Sequence, residues 1–146
     1  MEKRYVLGLV FDEDNPSRVL LKYMQNKKDN LSFMSYSFNG IGGKIKNTSP
    51  IKTMIKKCKE DIGVDTREED WNFFCTIDCK TENVKVYCYS YFMNNNTFED
   101  FRHTDTEKVV TIEIPEQLYD HDLVDDLRYL IPLAQHNNAH TIITRK

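Results

Sequence analysis

Apolar positions follow two rhythms along this chain, and the change from one to the other marks its central element. Residues 5–11 (Tyr-Val-Leu-Gly-Leu-Val-Phe) are apolar almost throughout, which predicts a strand buried on both faces and central in its sheet. Asp12, Asn15 and Pro16 break the run, and residues 18–24 predict a second strand, hairpin-paired with the first. A polar loop over 25–30 and a mixed apolar and serine stretch over 31–38 follow. They lead into Asn39-Gly40-Ile41-Gly42-Gly43-Lys44, where three glycines within four residues let the backbone come close to another group. Such a turn is either tight packing or a phosphate seat.

The rhythm then becomes helical. Ser49 followed by Pro50 is a start signal, a side-chain cap before the one residue that loses nothing at the first helical position. The spacing predicts a helix over 50–61 with Ile51, Met54, Ile55, Cys58 and Ile62 on one buried stripe. Lys57, Glu60 and Asp61 fall together on another face, and Gly63 ends the helix.

Beyond an acidic loop over 65–70, residues 71–77 predict a strand. Residues 84–93 alternate, with Val86, Cys88, Ser90 and Phe92 facing the core and Tyr87, Tyr89 and Tyr91 the other side. The tyrosine row reads first as a half-buried sheet surface and second as a base-stacking platform. Residues 94–106 read as polar loop anchored by Phe98 and Phe101, and 109–114 as a strand ended by Pro115. A helix over 123–135 is amphipathic through Leu123, Leu127, Leu130 and Ile131 despite Pro132, and residues 137–146 form a polar tail. No repeat or low-complexity linker interrupts this order. Strands, helix, strands, helix predict an α+β domain spanning 1–146, with a mixed sheet in layers.

Composition narrows the partners. At 146 residues the chain suits a single core, and a net charge of −3 argues against a general nucleic-acid or membrane-surface binder. No apolar run approaches the ~20 residues of a membrane span, and residues 1–5 lead straight into a strand rather than a leader peptide, so a cytoplasmic protein is expected. Cys58, Cys75, Cys79 and Cys88 fit no paired Cys-x-x-Cys pattern and read as buried free thiols. His136 and His140 have i, i+4 spacing but no acidic motif beside them, and His103 and His121 read as loop residues.

Together these residues resemble the Nudix hydrolases, specifically a small bacterial or phage-type member with a degenerate box. The family's box, G-x5-E-x7-R-E-U-x-E-E-x-G-U, begins here at Gly43-Lys44-Ile45 and ends at Glu60-Asp61-Ile62-Gly63-Val64. Residues 39–44 and 127–134 also resemble flanking sequences of such members. The resemblance implies an α/β/α sandwich with a mixed central sheet, a box helix and a C-terminal helix. The interval from Gly43 to Gly63 is one residue shorter than the family's. With the gap in the loop before Pro50, Thr48 occupies the first glutamate position, Lys56 the arginine and Lys57 the following glutamate, which is a metal ligand in the family.

Magnesium takes oxygen ligands, and an ammonium in place of one of three carboxylates changes the local charge by two units. A tethered cation attracts phosphate but supplies no metal-activated water. The resulting expectation is a nucleotide-binding protein with weakened or lost pyrophosphohydrolase activity, which senses or sequesters a nucleotide or nucleoside-diphosphate ligand. A viral sponge for a host nucleotide signal is one concrete form. The expected ligand site comprises Lys22, Gly42, Gly43, Lys44 and Lys57 around phosphate and Tyr87 and Tyr89 near the base. Neither DNA, RNA nor a membrane is an expected partner, and a homodimer is compatible with the family. The competing expectation is a magnesium-dependent hydrolase of ADP-ribose or an oxidised nucleoside triphosphate, with Glu60, Asp61 and Glu107 catalytic and Glu60 and Asp61 on the metal. A third is a protein-interaction module using Asp120, Asp122, Asp125 and Asp126.

Overall fold

An unbroken apolar run can only be a strand if both its faces are covered, and β1 (Lys3–Asp12) is buried from Val6 through Asp12. The computed structural model describes residues 2–25, 36–103, 109–114, 126–136 and 140–145. After β1 come β2 (Arg18–Gln25), β3 (Tyr36–Asn39), β4 (Ile41–Lys44), α1 (Pro50–Ile62), β5 (Trp71–Cys79) and β6 (Val84–Met93). The chain continues through α2 (Asn95–His103), β7 (Val109–Glu113), α3 (Leu127–His136) and β8 (Thr141–Arg145). This is the expected α+β fold. Its strands are mixed, because β5 pairs with β6 antiparallel and with β8 parallel.

Chain contacts divide the molecule into two compact units, residues 1–9, 41–91 and 133–146 in the first and 10–40 and 92–132 in the second. In the first, β4 lies antiparallel to the start of β1, with Gly43 opposite Val6 and Gly42 opposite Leu7. Its core includes Leu9, Ile41, Met54, Cys58, Phe74 and Cys88, all fully buried.

In the second unit β2 is the hub. It pairs antiparallel with β1 (Val10 opposite Leu20), with β3 (Lys22 opposite Asn39) and with β7 (Lys22 opposite Val109). Phe11, Val19, Leu20, Leu21, Phe98 and Leu130 fill its interior. Asp12 is also fully buried there and is held on several sides. The Asn95 side-chain amide donates to both carboxylate oxygens (3.0 and 3.2 Å), the Asp14 N–H donates at 3.0 Å, and the Arg18 guanidinium lies at 3.7 Å. The same guanidinium reaches Glu99 at 3.2 Å and Glu113 at 3.1 Å. A buried carboxylate without such partners would carry a large desolvation penalty.

Three expectations need correction. Residues 95–103 form α2 rather than loop: Asn94 supplies its start, accepting from the Asn96 N–H at 2.9 Å, and the helix is fixed by the burial of Phe98 and by the Asn95–Asp12 bonds. Part of the polar tail forms β8, whose partner β5 is remote in sequence. On β6 the faces are not cleanly divided, for Tyr89 is buried while Phe92 is 38% exposed, stacked on Phe11 at 5.3 Å. The predicted start of the last helix at Leu123 lies outside the described residues, within which α3 opens at Leu127.

The local signals of α1 hold. The Lys52 N–H donates to Ser49 Oγ at 3.3 Å, Pro50 stands in the first turn, and Gly63 adopts φ 73° with its N–H bonded to the Lys59 carbonyl. The buried stripe includes Met54 and Cys58 and adds Thr53, whose hydroxyl donates to the Ser49 carbonyl at 3.0 Å. Replacing the cap oxygen, Ser49→Ala, is expected to cost about 1 kcal/mol. A urea midpoint lowered at unchanged slope is the check.

Candidate functional site

Two glycines in β4 place the strand against its neighbours for different reasons. A Cβ on Gly42 would stand 2.1 Å from the Val6 carbonyl oxygen, so no side chain fits without moving the backbone of β1. On Gly43 it would meet the Lys57 side chain instead, 2.5 Å from Cε and 3.1 Å from Nζ. The absent side chain of Gly43 is thus the bed in which the Lys57 stem lies. The expected glycine turn is instead strand β4, and its glycines serve tight packing, in one case of a lysine.

From that bed the Lys57 ammonium reaches Glu60 Oε2 at 3.3 Å, one helical turn on, while Lys56 approaches Glu60 Oε1 at 3.9 Å. Side-chain exposure separates the two lysines, 31% for Lys57 and 73% for Lys56, so the Lys57 pair is the better sheltered. Glu60 is therefore shared between two ammonium groups. Asp61 has one carboxylate oxygen closed off from solvent. Its charge is felt by Cys58, whose thiol is pushed up to about 12 by burial and then by the Asp61 and Asp65 carboxylates. At the helix end Lys59 pairs with Asp65 at 3.2 Å.

These residues do not fit a magnesium ion. At the position that the resemblance aligns with a further box carboxylate stands the Lys57 ammonium, paired to Glu60. Among the described residues no three His, Cys, Asp or Glu side chains gather to hold a metal. Glu107 lies outside the described residues, as do Asp120, Asp122 and Asp125, while the backbone carbonyl of Asp126 accepts the N–H groups of Tyr129 and Leu130 at the start of α3.

The other expected site residues fall into three places. Lys44 is exposed at the end of β4, opposite Tyr5. Lys22 stands in β2 of the second unit, half-buried. Tyr87 and Tyr89 lie on β6 around a residue the sequence reading had not singled out, Phe73. Its ring stacks on Tyr89 at 5.1 Å, contacts Tyr87 at 5.9 Å and meets His140 at 4.3 Å. Tyr89 is 7% exposed and is a filler of the sheet face, its phenol pushed up by burial and by Tyr87. Phe73 is 39% exposed, and with half-buried Tyr87 and exposed His140 it leaves an aromatic surface open. His140 is held by a 2.8 Å hydrogen bond between its Nε2 and the Thr76 hydroxyl. His136 ends α3 and His140 precedes β8, so their spacing does not put them on one helix face.

No protein-family model matches the chain, and no curated protein does. Solved structures do. The Mutator MutT protein of Bacillus halodurans is similar at TM-score 0.66 and 13% identity, over 97% of this chain and 88% of that one. A mutT/nudix family protein of Listeria innocua follows at 0.63 and 15%, over 90% of each chain. NrtR of Shewanella oneidensis gives 0.68 and 19%, over 91% of this chain and 62% of that one. At such identities the likeness establishes the fold.

Two outcomes test this geometry. Gly42→Ala is expected to destabilise by about 3 kcal/mol or prevent folding, because backbone must move, and Gly43→Ala by less, because only a side chain must. In a Lys57→Ala background the cost of Gly43→Ala should largely vanish, read as a double-mutant cycle of urea midpoints. For Cys58 the folded state holds the proton more tightly than the unfolded state. Its contribution is then complete below the ordinary thiol range near 9 and is lost as pH rises toward about 12. Thermal melts between those limits should fall less steeply with pH in Cys58→Ala than in the parent.

Proposed function

Starting from a Nudix-type fold, we propose that this protein binds a nucleotide or nucleoside-diphosphate ligand and has lost, or only weakly retains, metal-dependent hydrolysis. The observation that carries this reading is the Lys57 side chain bedded over Gly43 with its ammonium on Glu60. A dication brought there would meet a fixed positive charge and a carboxylate already shared by two lysines. An anionic phosphate would meet the opposite situation.

The helix as a whole supports this. α1 carries Lys52, Lys56, Lys57 and Lys59 against Glu60 and Asp61, a net charge of +2. Lys44 adds another exposed cation at the end of β4. A phosphate can exchange with Glu60 for the Lys57 ammonium, a charge-assisted contact of roughly 1.5–3 kcal/mol where partly sheltered. The open aromatic surface of Phe73, Tyr87 and His140 offers a stacking face for a base. Tyr89, buried beneath Phe73, takes a supporting role. Binding without turnover suits sequestration of the ligand.

Isothermal titration in the presence of a chelator, with ADP-ribose, nucleoside diphosphates and nucleoside triphosphates, tests the reading. Binding of one of them is expected, weakened about tenfold or more by Lys57→Ala. Absence of binding to all of them overturns it. So does magnesium-dependent turnover of any of them at an ordinary enzymatic rate, about 1 per second or faster, that Glu60→Gln abolishes, which establishes the enzyme instead. Lys57→Glu removes the ammonium and is expected to raise manganese affinity measurably over the parent.

A further inference from the structure

The thiols of Cys75 and Cys88 form a pair that neither the ligand site nor the fold's ion network uses. They stand directly opposite each other on the antiparallel strands β5 and β6, just after the register shift between Phe73 and Cys75. Both are fully buried. Opposed residues of an antiparallel ladder have Cα atoms ~4.5 or ~5.5 Å apart, according to the rung, and their side chains share a face. A disulfide spans Cα separations of ~4.4–6.8 Å, so both kinds of rung fall within its range.

The four cysteines are not equivalent. Cys88 hydrogen-bonds the Cys75 sulfur and holds that thiol below its ordinary range, against the opposing effect of burial. Cys58 is suppressed to about 12 by burial and nearby carboxylates. Cys79 is half-buried and faces Val84 across the ladder, with no thiol opposite it. A thiol held below its ordinary range and a second thiol placed to resolve an oxidised sulfur occur together at one place. The bulge beside Cys75 interrupts the ladder there, and because both thiols are buried the oxidant would reach them through local opening of this stretch.

We propose that Cys75 and Cys88 are a redox-responsive pair that closes to an intrachain disulfide when the protein meets a hydroperoxide. The Cys75 thiolate attacks the O–O bond. A sulfur–oxygen bond forms, and the departing oxygen leaves as water or alcohol after taking a proton. The Cys88 sulfur then attacks the sulfenic sulfur, the S–S bond forms, and the hydroxyl departs with the Cys88 proton as water. Two thiols lose two electrons and two protons, and the peroxide is reduced by the same two electrons. The product ties β5 to β6 behind the strands' aromatic face, since Cys88 lies between Tyr87 and Tyr89 and points to the opposite side. A thiol reductant reverses it.

The test is to treat the folded protein with hydrogen peroxide, block remaining thiols with N-ethylmaleimide in denaturant, digest without reduction and map the peptides by mass. The expected product joins the Cys75 and Cys88 peptides with the loss of two hydrogens, disappears on dithiothreitol treatment and raises the melting temperature. Cys75→Ala and Cys88→Ala should each abolish it while Cys79 stays alkylatable, and the parent map decides alone if either variant fails to fold. Recovery of Cys75 and Cys88 as maleimide adducts after Cys79 has been oxidised overturns the proposal. Linkage through Cys58 or Cys79 in place of this pair does so as well.

Discussion

The close approach of β4 to β1 on one side and to α1 on the other sets the geometry of the first unit. Gly42 concedes the space to the Val6 carbonyl and Gly43 concedes it to the Lys57 stem. Neither concession depends on the other's chemistry, yet they are adjacent on one short strand. The first fixes where the strand runs. The second decides which side chain of α1 can lie across it, and so which charge the turn presents. Lys57 is long enough to bury its methylenes over a glycine while its ammonium turns back to Glu60, a division of apolar stem and charged head that lysine commonly makes.

That ion pair is poor evidence of stabilisation. Exposed helical pairs contribute roughly 0.2–0.5 kcal/mol, and even the better sheltered Lys57–Glu60 contact is partly open to water. Its importance is in the sign of the local field. A box that gathers carboxylates makes a negative pocket, which a dication neutralises. Here the same backbone frame carries an excess of lysines, and Glu60 is divided between two of them. The second unit shows the reverse case, in which Arg18 stands among Asp12, Glu99 and Glu113 and the buried carboxylate is held by neutral donors as well. Polar satisfaction is a matter of folding there, whereas in the first unit the charges lie at the surface of the helix.

What could be read beforehand divides along the same line as local and remote forces. The start, stripe and end of α1 were legible because cap, proline and glycine act within a turn of where they stand. The central strand was legible because unbroken apolarity admits few alternatives. α2 was not, since Asn95, Asn96 and Thr97 have weak helix preference and the segment is held by Phe98 in the core and by Asp12, far away in sequence. β8 was missed for the same reason, a short half-exposed strand whose pairing partner among the described residues is the remote β5. At the site, the ordered glycines and acids announced the frame. Phe73 and His140 gave no signal, because their meeting depends on a parallel pairing that brings residue 140 beside residue 73.

Frame and chemistry are separable here for a physical reason. The close-packed glycines of β4, the serine cap and the left-handed glycine are backbone constraints, satisfied whatever charge the helix displays. Solved structures sharing only 13–19% of residues with this chain keep the fold, so the frame tolerates nearly complete replacement of side chains. Metal chemistry tolerates far less, because it needs several oxygens converging within bonding distance of one point. Drift that leaves the frame intact can therefore remove the metal site in a single step, by exchanging one carboxylate for an ammonium. The anion binding proposed above asks less, since phosphate needs only positive charge and close backbone, and both are present at Gly43 and Lys57.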